Sequence, residues 1–312
     1  MERIRFGLPA VLIATVVAVA SVVPAAQPKS QLFSFHSNAW LNLHHYARAV
    51  ARGPGADLAG LSDAERAQWV AGVEFYKPYV PRDLVRDDGM IAIKNALRAA
   101  EGKTSLDGIA IDAALKTTLE RMMPVYQKRW WPEHDRANRA WIADMQPLVD
   151  RHGLALSQAL ARVYDATWPR EPVPVDLTVT AGPDGAYGTS EPAHITISPS
   201  TFRGNTALEI LFHESTHSIV PLFQYVSEAA RKQNVNVPPQ LSHAVLFYTA
   251  GELTARELKT HGVDYTAYPD DKFLAFMCGA GCRDKIVQHW GPRLEGKRSI
   301  PDALSALVAA FK

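Results

Sequence analysis

Apolar residues recur at helical spacing along most of this chain. In "SQLFSFHSNAWLNLHHYARAVAR", Ala39, Leu43, Tyr46 and Val50 fall on one face and predict a helix over about 38–52. "GPGADLAGLS" interrupts the pattern. Ser62 and Glu65 in "SDAERAQWVAGVEFY" then form a capping-box signature, because hydroxyl and carboxylate can each satisfy an orphan backbone group, and Pro78 and Pro81 end that helix. "RDLVRDDGMIAIKNALRAAEG" and "SLDGIAIDAALKTTLERMMPVYQKRWW" read as further helices, followed by two more across about 134–151 and 154–167. Near residue 170 the period changes. "EPVPVDLTVTAG" and "AHITISPS" alternate, carry β-branched residues and are separated by Pro and Gly, so they read as strands. An apolar segment over 208–223 comes next, and helices return across about 238–259, 270–290 and 301–311. The predicted class is mainly α with α+β character: a helical region over 27–170, then a region over 171–312 with a small sheet beside the 208–223 helix.

The first residues do not belong to that fold. Arg3 and Arg5 precede an uncharged apolar run from Phe6 to Val23, and small residues follow. This reads as a signal peptide over 1–26, which predicts export to the periplasm or outside. No later stretch is long and apolar enough to span a membrane. The chain has 312 residues, 47% of them hydrophobic, enough for one sizeable core or two small ones. A formal charge of +1 and a pI near 7.8 provide no basic field, so nucleic acid is not an expected partner. The two cysteines, Cys278 and Cys282, lie in "MCGAGC", where an oxidising compartment would let them pair.

The chemistry concentrates in "LEILFHESTHSIVPLF", residues 208–223. Residues i and i+4 of a helix share a face, so His213 and His217 can present two nitrogens to one metal. Zinc accepts imidazole and carboxylate ligands and keeps a position for water in catalytic sites. It lowers the pKa of water from about 15.7 to roughly 7, so a carboxylate such as Glu214 suffices as general base. Leu208, Leu211, Phe212, Ile219 and Leu222 make the helix strongly apolar, and a polar trio there is costly to bury without a use. The preceding "HITIS" strand is placed to serve as a sheet edge along which an extended peptide could lie.

With its strand, its HESTH helix and a later helix carrying "AGELTARE", the chain resembles the zincin metallopeptidases, specifically the glutamate-zincin group to which thermolysin belongs. The resemblance covers about residues 175–260. It implies a zinc-dependent hydrolase of peptides or proteins, with His213 and His217 as ligands, Glu214 as base and a glutamate on the later helix as third ligand. Glu252 fits that role. A turn around "NVNVPPQ" can return a helix alongside the first, Gly251 allows close approach, and Tyr248, Glu252 and Arg256 form a polar stripe at i, i+4 spacing. His243 competes as third ligand and would give a three-histidine site. Tyr248 and His243 are the candidates for steadying an oxyanion. The alternatives are a metal-holding scaffold without turnover and a zinc hydrolase of non-peptide amides; retention of Glu214 favours an enzyme.

Other polar groups compete for attention. His36, Asn38, Asn42, His44 and His45 sit on an otherwise apolar segment and either line the cleft or are satisfied within the fold. The tryptophans of "RWWPEHDRANRAW" read as core. Glu209, four residues before His213, either supports it or faces solvent.

Overall fold

The computed structural model describes residues 32–53 and 55–312, so the signal peptide expected over 1–26 lies outside the described residues. The chain is mainly helical around a small four-stranded sheet, as the periodicities predict. It opens with β1 (Phe33–His36), followed by α1 (Ala39–Arg52), α2 (Asp63–Tyr76), α3 (Asp88–Arg98), α4 (Ala113–Arg129) and α5 (Trp131–Val163). Then come β2 (Val173–Leu177), β3 (Ala186–Ser190), β4 (Ala193–Ile197), α6 (Gly204–Ile219), α7 (Leu222–Gln233) and α8 (Leu241–Thr260). Four short helices close the described chain: α9 (Asp271–Cys278), α10 (Cys282–His289), α11 (Gly291–Leu294) and α12 (Ile300–Ala309).

Local chemistry accounts for several boundaries. Asn38 caps α1 by accepting from the backbone N–H groups of Trp40 and Leu41. The capping box at Ser62 and Glu65 is formed in full. Pro221 separates α6 from α7, whereas Gly153 does not end α5. The two helices expected on either side of residue 152 are one helix of 33 residues. Burial overrides the intrinsic cost of that glycine, for Val149, His152, Gly153 and Leu156 all lie inside. In the opposite sense, the single helix expected over 270–290 is broken by Gly279 and Gly281, both at positive φ. The break brings Cys278 and Cys282 to disulfide distance, with Cα atoms 5.6 Å apart.

The sheet order is β1-β2-β4-β3. β1 runs parallel to β2, with Phe33 opposite Val173, and β2 runs parallel to β4. β3 is antiparallel to β4, pairing Gly188 with Ile195. This corrects the expectation that "HITIS" forms the edge. β4 is interior, and the edge on its side is β3, whose sequence "AYGTS" lacks the β-branched alternation that marks β2 and β4.

Two large apolar clusters organise the packing, and they do not divide the chain at residue 170. One gathers α1, α2 and α4 around Trp40, Trp69, Leu119, Tyr126 and Trp130. Trp130 packs at a tilt against Trp69, with centroids 4.2 Å apart, and is buried in this core. The other joins the sheet to α5, α6, α8 and the C-terminal helices, with Phe33 and Trp141 from the first half among its members. No helix among the described residues is long and apolar enough to cross a membrane.

Candidate metal centre and its supports

The floor of the site is α6. His213 is fully buried, Glu214 nearly so, and about a third of the His217 side chain is exposed. α8 crosses alongside and contributes His243. The Nε2 atoms of His213 and His243 are 3.1 Å apart. One ring nitrogen from each of His213, His217 and His243 lies within 4.8 Å of the other two. Phe247, one turn beyond His243, stacks on the His213 ring at 3.6 Å between centroids and fixes its plane. The Glu214 Oε2 atom is 4.0 Å from His217 Nε2.

Burial sets the protonation of the cluster. It drives His213 well below the ordinary imidazole range, assisted by His217 and His243. The Leu246 backbone acts to favour a proton on His213, yet closes no hydrogen bond of ordinary geometry to Nδ1. The surrounding protein pushes His217 down to about 4 despite its exposed part, and burial pushes His243 to about 3, with His217 and Arg86 adding to the effect. Neutral imidazoles are the form that ligates metal. Burial raises Glu214 to about 8, a shift opposed by a hydrogen bond from the Gly188 backbone and reinforced by Asp184.

The edge strand works on both of its faces, as alternation in a strand requires. Gly188 faces α6 so closely that a Cβ there would stand 2.8 Å from the Glu214 carbonyl oxygen and 3.2 Å from its Oε2. Ser190, two residues on, donates to the His217 carbonyl at 2.8 Å. Tyr187 and Thr189 face the other way. The Tyr187 hydroxyl lies 3.1 Å from His45 Nε2 on α1, and Lys94 Nζ of α3 donates to Thr189 Oγ1 at 2.6 Å. The N-terminal helices thus hold the strand that abuts Glu214.

The structure does not bring Glu252 into this cluster. Its carboxylate accepts from Arg256 at 2.8 Å, and Arg256 continues to Glu295 at 2.5 Å. Tyr248 lies with this group as well, its ring beneath Arg283 and its hydroxyl toward Gly291. The reason is rotation. His243, Phe247 and Gly251 form the stripe of α8 that meets α6, and Tyr248 and Glu252 lie one residue, about 100°, around the helix. Gly251 does permit close packing, since a Cβ there would stand 3.0 Å from Glu209 Oε1. Glu209 itself is buried and accepts from the Tyr265 hydroxyl and the Tyr268 backbone, at 2.7 and 3.0 Å. Burial raises its pKa to about 7.

Most of the other polar candidates of the first half are internal fasteners. Asn42 donates to the Leu177 carbonyl at 2.7 Å and accepts from the Val179 N–H at 3.0 Å. His44 Nδ1 lies 2.9 Å from the Tyr76 hydroxyl, and His36 pairs with Glu101 nearer the surface. Sequence reasoning missed Gly188 and Ser190, because a four- or five-residue strand of small residues carries almost no periodic signal. A scan against protein-family models, a search of curated proteins and a search of solved structures return no match to this chain.

Proposed function

We propose that the chain is an exported zinc-dependent hydrolase acting on peptide or protein substrates, with His213, His217 and His243 as the metal ligands and Glu214 as general base. The observation that carries this reading is the convergence of three buried or half-buried imidazole nitrogens beside a buried carboxylate. The donor set fits the metal. Ligands of a tetrahedral zinc with bonds of about 2.0–2.1 Å stand roughly 3.3–3.4 Å apart, close to the 3.1 Å between His213 and His243. Three histidines are moreover an established ligand set for catalytic zinc. The proposed set is therefore the three-histidine one, and the resemblance to zincins rests on the HESTH helix and its neighbouring strand rather than on a glutamate ligand.

When bound, zinc supplies a Lewis acid and a charge that makes water acidic enough to lose a proton near neutral pH and that favours the carboxylate form of Glu214. Glu214 then accepts the proton at Oε2, on the side facing His217, and can return it to the leaving amine. Gly188 keeps the space above Glu214 free of any side chain, and its N–H limits where the carboxylate can swing. β3 is an edge strand of the sheet, along which an extended peptide could lie, and that favours peptides over compact amides. Export rests on the charged, apolar leader of residues 1–26.

The Glu214→Gln variant tests the reading directly. It is expected to bind zinc as the parent does and to lose turnover of a mixed peptide library by several orders of magnitude. Equal turnover in a metal-replete Glu214→Gln protein would remove Glu214 from the mechanism. Absence of turnover in the parent, with zinc bound, would favour the metal-holding scaffold.

A further inference from the structure

We propose a second metal site, formed by His152 of α5 with Glu257 and His261 at the C-terminal end of α8, which takes a zinc-class divalent cation and staples the two helices together. Glu257 Oε1 lies 3.1 Å from His152 Nδ1 and 3.4 Å from His261 Nδ1. Those separations bracket the roughly 3.3–3.4 Å edge of a tetrahedral zinc site. All three ligand atoms lie within 4.8 Å of one another. The two imidazoles do not stack; they stand at 89°, with centroids 4.7 Å apart. Glu257 and His261 are related by i, i+4, the helical spacing that places two ligands on one face.

The surroundings fit a cation better than a simple ion pair. His152 is 2% exposed and Glu257 14%, and among the described residues no Lys or Arg pairs with Glu257. A mostly buried carboxylate between two imidazoles is short of positive charge, which a dication would provide. His261 is 43% exposed and gives a route in from solvent. Two imidazoles and one carboxylate suit zinc and its neighbours rather than calcium or magnesium. His243 and His261 stand at opposite ends of α8, about 27 Å apart at 1.5 Å per residue. The second site therefore does not depend on the first, and it would pin the helix that carries His243 against the longest helix of the chain.

Zinc stoichiometry of the full chain tests the proposal without reading activity. The His213→Ala/His217→Ala protein, loaded with zinc and dialysed, is expected to keep one zinc per chain by elemental analysis and to melt at a higher temperature with zinc than after chelation. Adding His261→Ala, an exposed change that leaves the buried packing alone, is expected to remove both the zinc and the shift. A folded His213→Ala/His217→Ala chain without zinc would overturn the proposal, as would retained zinc that His261→Ala does not reduce. If the double variant does not fold, the parent is compared with His261→Ala alone: a loss of one zinc per chain supports the site, and equal content refutes it.

Discussion

α1 and α6 are alike on paper, each an apolar helix with a concentrated set of polar residues, "NAWLNLHHYA" in one and "LEILFHESTH" in the other. They differ in where those groups find partners. On α1, Asn38 caps its own helix, Asn42 closes the end of β2, His44 meets Tyr76 and His45 meets Tyr187. On α6, His213 and His217 turn toward each other and toward His243, and the buried Glu214 carboxylate faces the Gly188 backbone. Buried polar groups in folded proteins are almost always satisfied from within. A set converging on common space is what the proposed metal site requires, whereas the α1 set is mostly distributed among protein partners.

The sharpest way to break this comparison is to take a group from the shared space. His243→Ala is expected to lower zinc affinity by about 100-fold or more, since loss of a mere supporting partner of a ligand already costs roughly 10–100-fold. Glu252→Ala, which only frees Arg256 from an exposed pair, is expected to leave zinc content unchanged. Metal analysis of the two variants after dialysis checks both, and the reverse pattern would restore the glutamate as third ligand.

Acid probes the architectural set. Burial, with Arg48 and Arg82 adding to it, pushes His44 down to about 3 from an ordinary value of 6.5. The unfolded chain takes up that proton first, so the contribution of His44 to stability is complete above pH 6.5 and is lost as the pH falls toward 3. Between pH 6.5 and 5 this amounts to about 2 kcal/mol from His44 alone. Urea melts of chelator-treated protein should show a decline to which the other buried histidines also contribute, and His44→Gln should make it shallower by about that amount.

Asn42→Ala is expected to have the smallest effect. It leaves the Val179 N–H without its acceptor, while Asn138 still donates to the Leu177 carbonyl at 3.1 Å. A loss of about 1–2 kcal/mol in urea melts with unaltered zinc binding is expected. A change in zinc content would mean that α1 acts on the metal centre after all.

Much of this was legible beforehand because the signals are local. The HESTH spacing, the capping box at Ser62, the helix over 38–52 and the two alternating strands depend on neighbours a few residues apart. The failures came where distant packing decides. The expectation that Glu252 rather than His243 lies against the HESTH helix turned on one residue of helical phase, which only the docking of α8 on α6 sets. Residue 152 looked like a helix end until α8 covered it. β1 has only four residues and β3 lacks the β-branched alternation of its neighbours, and both are completed by the edges that β2 and β4 offer.

The place of β1 also has a consequence in time. Its partner strand β2 begins with Val173, opposite Phe33. The Asn42 clamp spans a similar gap, 135 residues, to Leu177. At roughly 5–20 residues per second, "FSFH" waits on the order of ten seconds after synthesis before its complement exists. Through that interval it is an open strand edge on an incomplete chain, the state most prone to wrong pairing and most in need of a chaperone.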